Sequence, residues 1–398
     1  MEQMKNFVFI SPNFPDNYWI FCNRLKANGL NVLGIGDCPY DNLSSELKAS
    51  LNEYYKVSSL ENYDEVYRAV AFFIHKHGRI DWLESNNEYW LERDANLRKD
   101  FNIRTGFQPE DMPTVKFKSK MKERYMLAGI PVARHHLVDD MAGCAAFIRE
   151  VGYPVIVKPD NGVGATRTYR ISNDTDLEQF FRTKDDTLYI MEEYIDATVT
   201  SYDAIVNSAG VPLFENSNVT PVNLMNVVNN AESCVLYMRN ELPDDLRAKG
   251  RATLKAFGVR SRFVHFEFFC LNSDQHIGKK GDIVALEVNM RPSGGISPSM
   301  MNYAHGTDVY KIWADMIAFD SSEKKCEDQQ YCVFAGRRDA RRYALSLDEV
   351  RQLFAGHIKE EGRVDPALAL DMGDYMILAC FKTYDEVVNF WTQVLKVA

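Results

Sequence analysis

Residues 283–292 of the chain have the sequence Ile-Val-Ala-Leu-Glu-Val-Asn-Met-Arg-Pro. The aliphatic residues at the start of this stretch predict a β-strand. Because alternate residues of a strand point to the same face, Glu287, Asn289 and Arg291 are expected to project together, while the apolar residues between them face the other side. The stretch therefore places two oxygen-bearing side chains and a cation on one face of a sheet.

A second predicted strand, residues 263–269, carries Glu267 within an aromatic run. Burying an unpaired carboxylate among aromatic rings is costly, and a bound cation would remove that cost. Glu267, Glu287 and Asn289 supply the hard oxygen ligands that Mg²⁺ takes together with phosphate oxygens and water. Arg291 can hold a phosphate or an acyl phosphate with its planar fork of donors. The alternative is a plain ion pair between Arg291 and one of the two glutamates.

Upstream, residues 152–168 read Gly-Tyr-Pro-Val-Ile-Val-Lys-Pro-Asp-Asn-Gly-Val-Gly-Ala-Thr-Arg-Thr. An apolar strand leads directly into Lys158 and a loop that contains Gly162 and Gly164. Small residues let backbone N–H groups approach phosphate oxygens, and the lysine adds a positive charge. The loop is not a Walker A motif, because its lysine precedes the glycines. A single glycine turn after a strand is usually structural, so the phosphate-binding interpretation depends on the acidic strands downstream.

The composition indicates a globular protein of several domains. A chain of 398 residues exceeds one ordinary hydrophobic core, which predicts two or three domains. The formal net charge of −10 argues against a nucleic-acid partner bound through phosphate neutralisation. The first residues lack a signal-peptide pattern, and no apolar stretch reaches about 18 residues, so we expect a cytoplasmic protein with no membrane partner. Eight cysteines without a CxxC pair favour reduced thiols.

The first hundred residues alternate short apolar runs with helical stretches, which predicts a parallel sheet with crossover helices. The first strand runs into Ser-Pro-Asn-Phe-Pro-Asp at residues 11–16, so the glycine fingerprint of NAD and FAD sites is missing. A proline-containing stretch at residues 108–113 marks the first domain boundary. The following chain mixes strands and helices in an α+β manner, and a polar run after about Asp320 opens a third region.

Three features in this order resemble the ATP-grasp superfamily, specifically its carboxylate–amine ligase branch, which includes carbamoyl-phosphate-synthase-like proteins. They are a helix lysine ahead of Gly-Ile-Pro at residues 129–131, the Val-Lys-Pro strand with its glycine loop, and the two glutamate strands. The resemblance covers about residues 114–318. It implies an α/β and α+β multidomain protein, with an ATP-grasp fold preceded by a Rossmann-like pre-grasp domain.

The resemblance also implies a division of the chain into four parts. These are a pre-grasp α/β domain at 1–113, a small ATP-grasp subdomain with the nucleotide lid and hinge at 114–200, a large subdomain with the metal site at 201–320, and a C-terminal subdomain at 321–398.

ATP and Mg²⁺ are the implied cofactors, with Mn²⁺ as an alternative metal. Lys118, eleven residues before Gly129, matches the family's early nucleotide-contacting residue, although three neighbouring lysines, Lys116, Lys120 and Lys122, leave the register open. By resemblance, Lys158 contacts the α- and β-phosphates and is catalytic together with Arg291, which meets the transferred phosphoryl group. The implied metal ligands are Glu267, Glu287 and Asn289. The implied nucleotide loop contains Gly162, Gly164 and Ala165.

The adenine hinge resembles residues 189–195, where backbone groups of Glu193, Tyr194 and Ile195 would contact the base and either Glu192 or Glu193 would add a polar contact. The chain departs from the family pattern a few residues later. The glutamate that commonly binds the ribose aligns with Val199, and Asp196 is the nearest substitute.

These features imply an ATP-dependent ligase that activates a small carboxylate as an acyl phosphate and condenses it with an amine. The alternatives are a carbamoyl-phosphate or carboxylase-type enzyme, a kinase that stops at a phosphorylated product, and an ATP-binding regulatory protein without turnover. A homodimer is compatible with the resemblance. His265 and His305 are either acid–base groups or structural residues. The arginines of residues 337–342 form either a carboxylate site or a surface ion-pair patch.

Overall fold

The computed structural model describes residues 4–162, 167–222, 227 and 232–398. Its N-terminal part is a four-stranded parallel sheet of order β3-β2-β1-β4 flanked by helices, as the alternating pattern predicts. The strands are β1 Asn6–Ile10, β2 Asn31–Gly36, β3 Glu53–Lys56 and β4 Trp82–Glu84, and the helices are α1 Trp19–Ala27, α2 Ser45–Ser50, α3 Tyr63–His77 and α4 Leu91–Asp100.

The order of the parallel sheet creates a crevice at its carboxyl edge. Strand β1 lies in the middle, and the chain proceeds to β2 on one side and later to β4 on the other. The loops that leave β1 and β4, residues 11–18 and 85–90, therefore meet at this point, which is where open α/β sheets commonly bind ligands.

A second, antiparallel sheet of order β5-β8-β6-β7 lies in the next part of the chain, with helices packed against its apolar core. Its strands are β5 His135–Leu137, β6 Val155–Pro159, β7 Tyr169–Ile171 and β8 Tyr189–Glu193. Helices α5 Met112–Lys116 and α6 Lys118–Leu127 precede it, and α7 Met141–Val151 and α8 Asp174–Thr183 connect its strands.

The third sheet is antiparallel, and its order is β14-β13-β9-β11-β12-β15-β17-β16, with β10 paired to β9. Its strands are β9 Ala197–Val206, β10 Pro212–Asn216, β11 Asn218–Thr220, β12 Cys234–Met238, β13 Arg262–Leu271, β14 Ile283–Asn289, β15 Tyr331–Arg337, β16 Ile358–Arg363 and β17 Tyr375–Phe381. The remaining described helices are α9 Asp244–Ala256, α10 Ser297–His305, α11 Val309–Phe319, α12 Leu347–Leu353, α13 Ala369–Met372 and α14 Tyr384–Val394.

The parallel sheet packs tightly against the large antiparallel sheet. The ring of Trp313 on α11 meets Phe7, Phe9 and Phe21 edge-on, with centroid distances of 5.6, 6.4 and 5.0 Å. All four side chains are almost completely buried, so this contact excludes water and fixes the parallel α/β unit against helix α11.

The four-part division of the chain remains a proposal. Strand β9 runs across the proposed boundary at residue 200, because its two halves form one continuous ladder with β13. Strand β15, which follows the boundary at residue 320, pairs with β12, which precedes it. The fold class itself agrees with the prediction: a parallel α/β unit followed by α+β units. None of the described helices combines the length and apolar character needed to span a bilayer.

Candidate functional site

The two predicted glutamate strands lie side by side, and their acidic residues face each other. In the antiparallel pair β13 and β14, Glu267 is the register partner of Glu287, and His265 is the partner of Asn289. Partners in such a ladder share a face and have their Cβ atoms about 5 Å apart. The intervening residues Val288 and Met290 are buried in the core on the other side, as the alternation predicts. The three predicted metal ligands are therefore adjacent on one face.

The donor set fits a divalent cation. Glu267 and Glu287 have side-chain exposures of 24% and 19%, so both remain accessible to solvent. Two carboxylates directly opposite each other repel unless a cation lies between them. Oxygen donors from Glu267, Glu287 and Asn289 match the preference of Mg²⁺ and Mn²⁺.

Arg291 does not form the plain ion pair that was the alternative interpretation. Its Nη1 donates to the carbonyl of Pro292 at 2.7 Å, and its Nη2 lies 3.4 Å from Oδ1 of Asn289. The guanidinium is partly exposed. It lies close enough to Glu287 to lower the pKa of that carboxyl, behind the larger effects of burial, which raises it, and of two lysines, which lower it.

Lysines from two elements converge on the same face. Lys118, the first residue of α6, is 6% exposed, and its Nζ lies 3.3 Å from Glu287 Oε2 and donates to the carbonyl of Gly162 at 3.0 Å. The backbone N–H and hydroxyl of Ser119 both donate to the carboxylate of Asp160, at 2.7 Å each. Asp160 thus anchors the start of α6 to the end of β6, which brings Lys118 to the glycine loop.

Lys158 on β6 forms an ion pair with Glu192 on β8, with 2.9 Å between Nζ and Oε2. Burial alone would lower the pKa of Lys158, but the carboxylates of Glu192 and Glu287 raise it above its ordinary value. Burial would likewise raise the pKa of Glu192, but Lys122 and Lys158 hold it well below its ordinary value. Lys158 is therefore positively charged and faces Glu267 and Glu287, the acidic pair on the large sheet.

Lys122 completes this group and was only an alternative in the sequence analysis. Its side chain is fully buried, and its Nζ lies 2.8 Å from Oε1 of Glu192. Burial lowers the pKa of Lys122, and the neighbouring carboxylate opposes that effect. Lys118 and Lys122 are four residues apart on α6, so they share a helix face, and this spacing is the signal that could have identified both.

The predicted hinge, residues 189–195, consists of β8 and the two residues that follow it. The carboxylate of Glu193 is occupied by Arg134, which donates through its backbone N–H at 2.7 Å and through Nε at 2.8 Å. Glu192 is occupied by the two lysines. Tyr194 is 37% exposed and has the Arg170 guanidinium 4.8 Å above its ring, whereas Ile195 is buried. Backbone groups of 193–195 thus remain the predicted contacts for a base. Gly164 and Ala165, predicted for the nucleotide loop, lie outside the described residues.

A buried histidine links the acidic pair to the interior of the sheet. His265 Nδ1 lies 2.6 Å from Asp203 on the neighbouring strand β9, and its Nε2 lies 3.2 Å from Oε1 of Glu267. Burial would lower the pKa of His265, but the carboxylate of Asp203 outweighs it and, together with Glu267, raises that pKa to about 9. His265 is therefore a cation that orients Glu267. Asp203, which is fully buried, had no recognisable signal in the sequence.

His305 and two of the four arginines at residues 337–342 have structural roles. Burial lowers the pKa of His305 to about 4, and its Nε2 lies 2.7 Å from Oδ1 of buried Asn216. Arg337 donates twice to the carbonyl of Val394, and Arg338 donates to carbonyls that include those of Glu232 and Leu370. Neither of these two arginines forms the carboxylate site or the surface patch that the sequence left open.

The crevice of the parallel sheet opens next to Arg291 and the turn at residues 293–295. Asn17 Nδ2 donates to the carbonyl of Gly295 at 3.1 Å, which joins the 11–18 loop to that turn. Gly295 has a φ of +59°, and a Cβ there would lie 2.9 Å from Met372 Sδ, so glycine is favoured at this position. Asn17 Oδ1 and Asn86 Nδ2 are buried without a hydrogen-bond partner, so one acceptor and one donor remain available to a ligand at the crevice.

The whole backbone matches solved ATP-grasp ligases, so the fold is the ATP-grasp fold with a pre-grasp domain. An L-amino acid ligase from Bacillus licheniformis superimposes with a TM-score of 0.74 at 16% identity, over 99% of this chain and 98% of that one. The biotin carboxylase domain of Hydrogenobacter thermophilus 2-oxoglutarate carboxylase, solved with MgADP, ADP and bicarbonate, has a TM-score of 0.68 at 15% identity, over 98% of this chain and 89% of that one.

Sequence comparison finds a relative whose name specifies a substrate. The chain is 25% identical over 239 residues to an L-arginine-specific L-amino acid ligase from Bacillus subtilis. The match covers 58% of this chain and 56% of that protein, so it spans about half of the relative's length. No protein-family model matches the chain.

Proposed function

We infer that this protein is an ATP-dependent ligase that phosphorylates a small carboxylate and joins the resulting acyl phosphate to an amine. The observation that carries this inference is the meeting of Lys118 and Lys158 with Glu267, Glu287 and Asn289 at the junction of the two antiparallel sheets. A triphosphate needs cations on its oxygens and a metal bridge at the phosphoryl group that moves, and this face offers both.

Mg²⁺ is the proposed metal, and Mn²⁺ suits the same oxygen donors. Glu267, Glu287 and Asn289 would hold it, and it would supply charge neutralisation at the phosphate oxygens. Lys158 and Lys118 would bind the phosphates directly. The solved biotin carboxylase neighbour contains MgADP, which supports the use of this nucleotide and metal by the fold.

The carboxylate is proposed to bind at Arg291 and at the turn of residues 293–295, called the glycine turn below. Arg291 is partly exposed beside the metal face, and its fork of donors suits a carboxylate or an acyl phosphate. A carboxylate oxygen attacks the γ-phosphorus of ATP and ADP leaves. The amine nitrogen then attacks the acyl carbon and phosphate leaves with the oxygen it received, while the amine loses a proton. Each step needs positioning and charge stabilisation, and neither needs a covalent bond to the protein.

The substrates are proposed to be amino acids, because the sequence relative and one solved neighbour are named as L-amino acid ligases. The crevice beside the glycine turn supports this choice. Asp16 and Asp365 lie near each other there; burial and then the Asp365 carboxylate raise the pKa of Asp16. Two acidic groups at the entrance favour a positively charged ammonium group.

A homodimer in the cytoplasm is part of the same proposal. The biotin carboxylase domain that resembles this chain was solved as a dimer, which supports the oligomeric state. Sedimentation velocity of the purified protein tests it directly.

The activity is tested by measuring release of ADP and phosphate with Mg-ATP, across single and paired amino acids and other small carboxylates, followed by mass spectrometry. We expect release to require a pair, with a product whose mass is the sum of the two substrates minus one water. Release that depends on bicarbonate, or that needs only one substrate and yields a phosphorylated product, would contradict a ligase and favour a carboxylase or a kinase.

A further inference from the structure

The strip of sheet between the proposed base site and the acidic pair is apolar. On β9 and β13, Ser201 is the register partner of Glu267, and the next pair on the same face, towards the hinge, is Val199 with Phe269. Phe269 in turn packs with Ile195 of the hinge and with Val284. Neighbouring pairs on one face are about 7 Å apart along a strand. A nucleotide that spans the hinge and the acidic pair therefore has its sugar over Val199 and Phe269.

Asp196, three residues before Val199, is already engaged in hydrogen bonds. Asp196 accepts a hydrogen bond from Asn272 Nδ2 at 3.1 Å on one oxygen and from Ser273 Oγ at 3.0 Å on the other. Asp196 therefore holds the β13–β14 hairpin against the end of the hinge. Both oxygens of Asp196 are thus directed at the hairpin, which disfavours Asp196 as the substitute that the sequence suggested for a sugar-binding acid.

One neutral hydroxyl borders the strip. Thr220 on β11 is the register partner of Val199 and is 9% exposed. A neutral hydroxyl discriminates weakly between sugars, because its hydrogen bonds are uncharged, whereas a carboxylate forms charge-assisted bonds about twice as strong. Among the residues that the structure describes, Val199 and Phe269 thus form an apolar floor under the sugar.

We propose that Val199 makes the nucleotide site indifferent to the sugar hydroxyls, so that the protein binds and uses 2′-deoxyadenosine triphosphate about as well as ATP. This rests on the proposed function only in requiring an adenine nucleotide between the hinge and the acidic pair. Val199 then determines specificity because its side chain has no acceptor for the sugar hydroxyls. A carboxylate at this position would let the site distinguish ATP from 2′-deoxyATP.

The test compares the dissociation constants of Mg-ATP and Mg-2′-deoxyATP by isothermal titration calorimetry, which needs no knowledge of the amine or the carboxylate. For the wild-type protein we expect the two constants to agree within about threefold. In Val199→Glu we expect ATP to be favoured by about 10- to 100-fold, because a charged acceptor adds strong hydrogen bonds to the hydroxyls. Val199→Gln should give a smaller preference in the same direction.

Two controls keep the result specific. Val199→Leu preserves an apolar floor and should leave the ratio of the two constants unchanged, and Thr220→Val should change it by less than about threefold. A wild-type preference for ATP above about tenfold would overturn the proposal, as would a Val199→Glu variant that binds ATP but shows no preference. Failure of both nucleotides to bind the wild-type protein would instead contradict the proposed function itself.

Discussion

Two buried clusters of charge in this molecule have opposite properties. The interdomain cluster consists of Glu84, Arg98 and Arg262, and it joins the parallel sheet to the large sheet. Glu84 Oε2 lies 2.9 Å from Arg98 and 2.5 Å from Arg262, and Arg262 also donates to the carbonyl of Met290. The side-chain exposures are 9% for Glu84 and 3% or less for the two arginines, so this cluster is closed.

The site cluster consists of Lys118, Lys158, Glu192, Glu267 and Glu287. Its lysines and Glu192 are as deeply buried as the interdomain cluster, but Glu267 and Glu287 are about one fifth exposed and face each other. The difference shows that burial of charge alone does not identify a functional site. The distinguishing feature is a pair of carboxylates that stay partly exposed beside lysines from α6 and from a second sheet, so that a ligand can still reach them.

The largest expected effect is loss of turnover when the site cluster is altered. Glu287→Gln removes one negative charge from the metal face but keeps the shape of the side chain. We expect ATP turnover to fall by about 10³-fold or more, with circular dichroism and melting temperature close to wild type. Glu123→Gln on the exposed side of α6 is the matched control and should retain full turnover. Wild-type turnover in Glu287→Gln would make the metal assignment wrong.

Altering the interdomain cluster should give the reverse result. Glu84→Gln removes the carboxylate that both buried arginines share and leaves Asp94 as the remaining acid near Arg98, so we expect the free energy of unfolding to fall by about 3 kcal/mol in urea titrations. The folded fraction should still bind Mg-ATP with an affinity near that of the wild type. Unchanged stability together with lost nucleotide binding would place Glu84 in the site and remove the distinction between the clusters.

His305 sharpens the comparison, because it is a buried group that stays neutral. Burial lowers its pKa from 6.5 to about 4, so between these two pH values the unfolded chain binds a proton at His305 and the folded protein does not. Its contribution to stability is therefore present above about pH 6.5 and is lost as the pH falls through about 4. Between pH 7 and 4 the wild type should lose about 3 kcal/mol more than His305→Gln, as measured by urea unfolding. Parallel pH profiles would contradict this role.

The smallest effect is expected in the arginine cluster. Arg338→Met removes a donor shared by several backbone carbonyls and should lower the free energy of unfolding by about 2 kcal/mol. Arg342, which is exposed, is the matched control, and Arg342→Met should change stability by less than about 0.5 kcal/mol. Turnover of the folded protein should be unchanged in both. A raised KM for the carboxylate in Arg338→Met would instead favour a substrate contact.

The sequence predicted the parts of the fold that depend on local pattern. The alternation in residues 283–292 correctly assigned Glu287 and Asn289 to one face of a strand and Val288 and Met290 to the core. The parallel N-terminal sheet followed from its alternating elements. Whether each predicted site residue acts as proposed still depends on the experiments above.

Long-range contacts could not be predicted in the same way. Asp203 is sixty-two residues from His265 in the chain, and only the ladder between β9 and β13 brings them together. Lys122 was left as one of several lysines, because its pairing with Glu192 depends on how α6 packs against the small sheet. Residues 216–220 include several polar residues, yet they are buried in the large sheet, where Asn216 Nδ2 donates to Asp203 and the backbone N–H of Asn218 donates to Ser201 Oγ.

The most direct test of the central claim is to follow the carboxylate oxygen. Once the substrate pair is known, the carboxylate is labelled with ¹⁸O and the released phosphate is examined by mass spectrometry. Activation through an acyl phosphate predicts that each phosphate released carries one ¹⁸O atom from the carboxylate. Phosphate without ¹⁸O, formed in step with the condensed product, would contradict phosphorylation of the carboxylate.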